Sequence, residues 1–171
     1  MLQVIYTKNC GDDSVCMANL QIQARPIFGK DADETQLLID DSPMFEVDVH
    51  ISNTGELAYL TYIVMSYPDT IKFSRVRLLQ GNSAITCLPP VTHNTTGSIE
   101  CDFASPIVSD VEVVFRVRFF AAALPFNMES FNVSLEVKTA SDEEGDKLDD
   151  NFVNVTIPVE IRSLVRLHRY C

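Results

Sequence analysis

The run VEVVFRVRFF, residues 111–120, decides how this chain folds. On an extended backbone Val113, Phe115, Val117 and Phe119 fall on one side and Glu112, Arg116 and Arg118 on the other, because successive strand side chains point to opposite faces. One apolar face and one charged face define a half-buried strand. The same period recurs along the chain. Leu20, Ile22 and Ala24 alternate with glutamines, Val47, Val49 and Ile51 with Asp48 and His50, and Leu57, Tyr59, Thr61, Ile63 and Met65 are expected to line one face of a longer strand. The pattern continues through Phe73-Ser-Arg-Val-Arg-Leu-Leu, then Phe131, Val133, Leu135 and Val137, then Val153, Val155 and Ile157. Turn-forming clusters separate these runs, at Phe28-Gly-Lys-Asp-Ala-Asp, Asn53-Thr-Gly, Tyr67-Pro-Asp, Gln80-Gly-Asn and Ser141-Asp-Glu-Glu-Gly-Asp. Eight or nine one-sided strands bury their apolar faces most simply as an all-β, antiparallel β-sandwich, with room for a few helical turns between Pro125 and Glu129.

A chain of 171 residues is long enough for one domain with a proper core. Its 46% hydrophobic content rules out global disorder. The formal charge of −11 repels phosphate backbones, and the local cluster at Arg162, Arg166 and Arg169 is too small to offset it, so nucleic acid is not an expected partner. The richest apolar stretch, Phe119 to Phe126, is interrupted by Pro125 and falls far short of the roughly 20 residues that cross a bilayer, so no direct membrane contact is expected. Met1-Leu-Gln-Val-Ile-Tyr-Thr-Lys has neither a basic start nor a small-residue cleavage site, and the expectation is a piece cut from a longer chain.

The five cysteines fall at 10, 16, 87, 101 and 171. CGDDSVC, residues 10–16, is a short ring that can close a disulfide, grip a metal or run redox chemistry. Proximity along the chain pairs Cys10 with Cys16 and Cys87 with Cys101. Zinc is the competing assignment, but there are no CxxC knuckles and His50, His93 and His168 are scattered. Cys171 is left over, read as a cut or added terminus, and carries no assigned function. Glycosylation triplets occur at Asn94, Asn132 and Asn154. Alternation turns Asn132 and Asn154 to the polar faces of their strands, and Asn94 lies in a turn-rich stretch, so all three can carry glycan in an oxidising, extracellular setting.

Catalytic signatures are missing: there is no G-x-S-x-G or H-E-x-x-H, and the histidines are not spaced as a triad or ligand set. The acidic stretch Asp142 to Asp150 lacks calcium-loop spacing and reads as a solvated hairpin. At Asp12 and Asp13 a closed ring would curl the backbone and turn carbonyls inward beside a carboxylate, as a hard cation requires, although a solvated acidic turn has the same sequence.

Asn9-Cys-Gly-Asp-Asp-Ser-Val-Cys followed by Met17-Ala-Asn-Leu-Gln-Ile resembles the knee, or genu, loop of integrin alpha chains leading into their calf-1 domain. Ser52-Asn-Thr-Gly-Glu-Leu-Ala-Tyr is similar to that domain's strand end and turn. Ile85-Thr-Cys and Glu100-Cys resemble its second disulfide, Ala104-Ser-Pro-Ile the start of a following strand, and Leu148-Asp-Asp-Asn the lead into its last strands. The resemblance runs from about Cys10 to about Val165. It implies an immunoglobulin-like sandwich of the calf-1 type over 17–165, preceded by the end of a linker (1–9) and a genu-like loop (10–16), and followed by a tail (166–171). It also implies a calcium ion held by Asp13, Glu56 and the backbone carbonyls of Cys10 and Val15. The expected setting is the extracellular leg of a cell-surface adhesion receptor, with an integrin beta subunit as partner, adjacent thigh and calf-2 domains, and no enzymatic activity.

Two rivals stand beside it. A stand-alone secreted carbohydrate-binding or adhesin-type module would use exposed aromatics, for which Tyr59, Tyr62 and Tyr67 are the candidates against a core-packing role. A small hydrolase would depend on His50 or His93.

Overall fold

A computed structural model describes residues 10, 15–29, 34–39, 43–81, 83–121, 124–143 and 148–161. Eight strands of seven residues or more carry the architecture: β2 (Leu20–Phe28), β4 (Met44–Asn53), β5 (Tyr62–Pro68), β6 (Ile71–Gln80), β9 (Thr96–Phe103), β10 (Val111–Ala121), β11 (Ser130–Lys138) and β13 (Phe152–Ile161). Short strands β1 (Met17–Ala18), β3 (Leu37–Ile39), β7 (Ile85–Cys87), β8 (Val91–His93) and β12 (Asp142–Glu143) fill in the edges, and one 3-10 turn spans Leu148–Asn151. A four-stranded sheet runs β2-β4-β10-β6. It faces a seven-stranded sheet ordered β3-β13-β11-β5-β9-β7, with β8 also on β9. The long strands pair antiparallel within each sheet, and β3 joins β13 parallel. The protein is the all-β sandwich that period-two alternation requires.

Between the sheets lies an aromatic hub. Phe119 stacks on Phe45 with centroids 5.3 Å apart and receives the edges of Tyr67 (5.2 Å) and Phe73 (6.2 Å). Phe45 in turn meets Phe131 at 5.5 Å, which ties the two sheets together without a tryptophan. Tyr67 is therefore core, and the three tyrosines form no exposed platform.

Four expectations change in detail. The face Leu57–Met65 is not one strand: Leu60 adopts φ 48°, Ala58 makes an isolated bridge to Ile107, and β5 starts only at Tyr62. A non-glycine residue in the left-handed region breaks the alternation, so Ala58 is buried while Leu60 is exposed. The segment after Pro125 is a turn closed by Met128 N–H to Pro125 C=O, not helix. Ala104 to Ile107 is that bridging connection rather than the start of a strand, and β10 begins at Val111. The acidic stretch is more than a solvated hairpin, because Asp142–Glu143 pairs parallel with Met17–Ala18. Linker 1–9, Asp12 and Asp13 and the tail 166–171 with Cys171 lie outside the described residues.

The outer face of the four-stranded sheet carries a charge ladder. Asp48, with a side chain only 4% exposed, accepts from Arg116 Nε (2.5 Å) and Nη2 (2.9 Å), and Arg25 approaches it at 3.5 Å. Glu46 holds Arg118 at 2.7 Å and Arg116 at 3.3 Å. Burial pushes the Asp48 carboxyl up, but the hydrogen bonds and charge of Arg116, joined by Arg25, outweigh it and hold it below the ordinary value of 3.8. A carboxyl depressed in the folded state stabilises the fold above its unfolded pKa, and this contribution is lost as pH falls through the lower folded value. Urea titrations should therefore show the wild-type chain losing more stability below pH 3.8 than Asp48→Asn does, with the two curves parallel at neutral pH.

Candidate functional site at the ring pole

The disulfide ring sits where the chain enters the sandwich. Cys10 and Cys16 are bonded and both buried; buried Cys101 is bonded to half-buried Cys87, which pins β7 to β9 at a register position where the two residues face each other. Directly after the ring, β1 is gripped from two sides. Asp142 N–H donates to the Cys16 carbonyl (3.0 Å), and Glu143 Oε1 accepts from Leu20 N–H (2.8 Å) while its Oε2 accepts from Asn151 Nδ2 (2.8 Å). On the other side lies the turn Asn53-Thr-Gly-Glu. Glu56 N–H donates to the Met17 carbonyl (2.7 Å), and Met17 N–H donates to Glu56 Oε2 (3.0 Å).

Asn53 organises that turn. Wholly buried, its Oδ1 accepts from Asn19 N–H and Gly55 N–H (both 3.1 Å), and its Nδ2 donates to the carbonyls of Ile107 (2.8 Å) and Glu56 (2.5 Å). Two donors and two acceptors around one amide satisfy every valence it has and fix its orientation. Gly55 is required by space: a Cβ there would stand 2.5 Å from the Met17 carbonyl oxygen, which is backbone and cannot rotate away.

Of the four residues expected to hold a cation, Glu56 is brought to the strand that leaves the ring, with one carboxylate oxygen bound to Met17 N–H. A carboxylate oriented by a hydrogen bond to one of its oxygens is the kind of ligand a hard cation takes. Cys10 and Val15 flank the loop, the latter exposed, and Asp13 lies outside the described residues. No cluster of three metal-binding side chains occurs among the described residues. Beside the ring opens a groove of ≈ 700 Å³ between Val15, Cys16, Tyr59, Leu60, Phe103 and Pro106, with Leu60 77% exposed at its rim.

The three glycosylation triplets are exposed at their asparagines. Asn132 pairs across β11–β13 with Thr156, and Asn154 with Ser134, so each triplet's hydroxyl donates to the other's asparagine Oδ1, at 2.9 and 3.1 Å. Alternation found the exposure, but the interlock needed the strand register. Sequence reasoning also missed Asn53, seen only as a turn residue, and Glu143, hidden in an acidic run. The two described histidines do not converge: His50 meets Glu112 at 3.1 Å on an outer face, and His93 is exposed on β8.

A disulfide-ringed, two-layer immunoglobulin-like sandwich with exposed glycosylation triplets defines an extracellular type of module. A family model described as integrin alpha Ig-like domain 2 matches residues 10–159, and the chain belongs to that family. Human integrin alpha-8 is 26% identical over 152 residues, covering 88% of this chain and 13% of that protein. Integrin alpha pat-2 of Caenorhabditis elegans is 25% identical over 174 residues, covering 97% and 14%. The chain thus spans about an eighth of the length of these relatives. Among solved structures, a cohesin module from a Clostridium perfringens family 33 glycoside hydrolase superposes with a TM-score of 0.52 at 10% identity, covering 86% of this chain and all of that one, a likeness of fold. Family membership places the segment in the extracellular part of a cell-surface adhesion receptor. No helix among the described residues is long and apolar enough to cross a membrane.

The clamp gives a test. Asn53→Asp replaces two donors by a carboxylate facing two carbonyls, and should cost about 3 kcal/mol or more in urea unfolding at pH 7. Because burial against two carbonyls raises the introduced acid's pKa in the fold and protonation restores one donor, the deficit should shrink as pH falls from neutral toward the unfolded carboxyl value of about 4, and stay level below it. Gly55→Ala should destabilise as well, without any pH dependence.

Proposed function

We propose that this segment is the knee and first lower-leg domain of an integrin alpha subunit, a spacer whose ring binds calcium and stiffens one side of a hinge. The observation that carries this is the path of the chain. It enters at the pole that holds Cys10, Cys16 and Glu56, and β13 leaves at the opposite pole, where Val159 N–H bonds the Glu129 carbonyl beside the start of β11. A module with inlet and outlet at opposite poles extends a chain in series, here by about 30 Å for strands of nine to eleven residues at 3.3 Å each. Four hydrogen bonds around one buried amide then couple the ring's exit strand to the sandwich, so stiffness at the ring reaches the sheets.

In this reading Asp13, Glu56 and the carbonyls of Cys10 and Val15 hold the cation, residues 1–9 end the thigh linkage, and the groove at Leu60 seats the preceding thigh domain. The following calf-2 domain continues from β13, and the beta subunit pairs with the parent receptor. The role is mechanical rather than catalytic. Asn94, Asn132 and Asn154 carry glycan.

Calorimetry on the oxidised chain should show calcium binding at millimolar or lower concentration that Asp13→Ala and Glu56→Ala each abolish, and saturation at 100 times Kd should add about 2.7 kcal/mol of stability. Absence of heat at millimolar calcium would remove the metal from the proposal. Material made in a secretory host should lose mass on enzymatic deglycosylation, and the loss should fall stepwise as the three asparagines are replaced by glutamine.

A further inference from the structure

Seven lysine and arginine side chains belong to the described residues, and six of them share one surface, the outer face of the four-stranded sheet: Arg25, Lys72, Arg75, Arg77, Arg116 and Arg118. The seventh, Lys138, is on the other sheet beside Glu136. In a protein of formal charge −11 this is a strong segregation. It arises from register. In β6 the pairing to β10 skips Ser74 and Leu79, since Arg75 opposes Arg118 while Phe73 opposes Phe119, and Leu78 opposes Phe115 while Gln80 opposes Val114. The bulge at Ser74 brings Lys72 to the same face as Arg75 and Arg77, which strict alternation would forbid.

The cations form two rows. The inner row, Arg116 and Arg118, is neutralised by Asp48 and Glu46. The outer row on the edge strand has no such counterions. Arg75 and Arg77 are exposed and make no ion pair among the described residues, and Lys72 donates only to the Asp69 carbonyl, at 2.7 Å. Charges elsewhere on the molecule are screened beyond a Debye length of about 8 Å in physiological salt, so the local excess governs what approaches this face.

We propose that this face binds a sulfated polysaccharide, with Arg75 and Arg77 pairing its sulfates and Lys72 extending the row. Side chains two residues apart on a strand stand about 6.6 Å apart, a linear array suited to a linear polyanion. Guanidinium groups pair oxyanions through two parallel hydrogen bonds. An acidic peptide adding as a strand is disfavoured, because two bulges and a row of cations blunt the β6 edge against backbone pairing. The polysaccharide also matches the extracellular setting of the family. The opposite outer face, with its interlocked asparagines on β11 and β13, is neither basic nor free of glycosylation triplets. This inference is independent of the calcium site.

The test is binding of the oxidised 171-residue chain to immobilised heparin over a salt series, with Arg75→Ser/Arg77→Ser as variant and Lys138→Ser as control. The wild-type and control chains should be retained at about 50 mM salt. The double variant should bind at least about tenfold more weakly, with a slope of log affinity against log salt smaller by about two. An unchanged urea midpoint would show that the variant is folded. Desulfated heparin should fail to compete. Flow-through of the wild-type chain, co-elution of the double variant with wild type, or equal competition by desulfated heparin would each overturn the proposal. So would binding to phosphatidylserine vesicles without binding to heparin, which would assign the face to a lipid surface instead.

Discussion

Everything at the ring pole depends on the carboxamide of Asn53. Buried polar groups are costly unless satisfied, and this one satisfies four backbone groups at once, from β2's approach at Asn19, from its own turn at Gly55 and Glu56, and from the bridge segment at Ile107. Its own carbonyl accepts from Asp110 N–H at 2.8 Å, which adds the start of β10 to the same node. The turn can approach β1 this closely only because Gly55 has no side chain, and that approach puts the Glu56 carboxylate against Met17, one residue from the disulfide. A polar node thus does at the pole what the Phe45–Phe119–Phe131 cluster does in the middle of the sandwich.

The two outer faces have different chemistry although both sheets obey the same alternation. On the four-stranded sheet, Asp48 lies between arginines of both neighbouring strands and Glu46 holds two arginines of β10, so the carboxylates are desolvated only as far as they are paired. On the seven-stranded sheet, the middle of the β11–β13 outer face carries the short hydroxyl and amide side chains of Asn132, Ser134, Asn154 and Thr156, bonded across the ladder. One surface thereby carries arginines and lysine and the other short polar side chains, around a core that is the same for both.

What a single sequence can reveal about such a protein depends on the range over which each signal acts. The strand run at 111–120 reads correctly because burial of one face is a property of neighbours two residues apart. Leu57 to Met65 misleads because its alternation continues through Leu60, where the backbone turns left-handed to make the Ala58–Ile107 bridge, a contact 49 residues away in the chain that no local pattern encodes. Glu56 entered the expected ligand set through family resemblance, and the turn that sets its carboxylate on Met17 N–H is a contact 39 residues away in the chain. Glu143 was passed over within an acidic run, since nothing local distinguishes a carboxylate that caps Leu20 N–H, 123 residues away, from one in solvent.

By itself, then, the order of residues determined the fold class, the apolar face of nearly every long strand, the two short-range cysteine pairs and the outward aspect of the glycosylation triplets, because each follows from spacing along a few residues of extended backbone. Tertiary structure alone decided the Asn53 node, the interlock of Asn132 with Thr156 and Asn154 with Ser134, and the shared face of Lys72, Arg75 and Arg77. These depend on register and bulges between strands far apart in the chain, where a shift of one residue sends a side chain to the other side of the sheet.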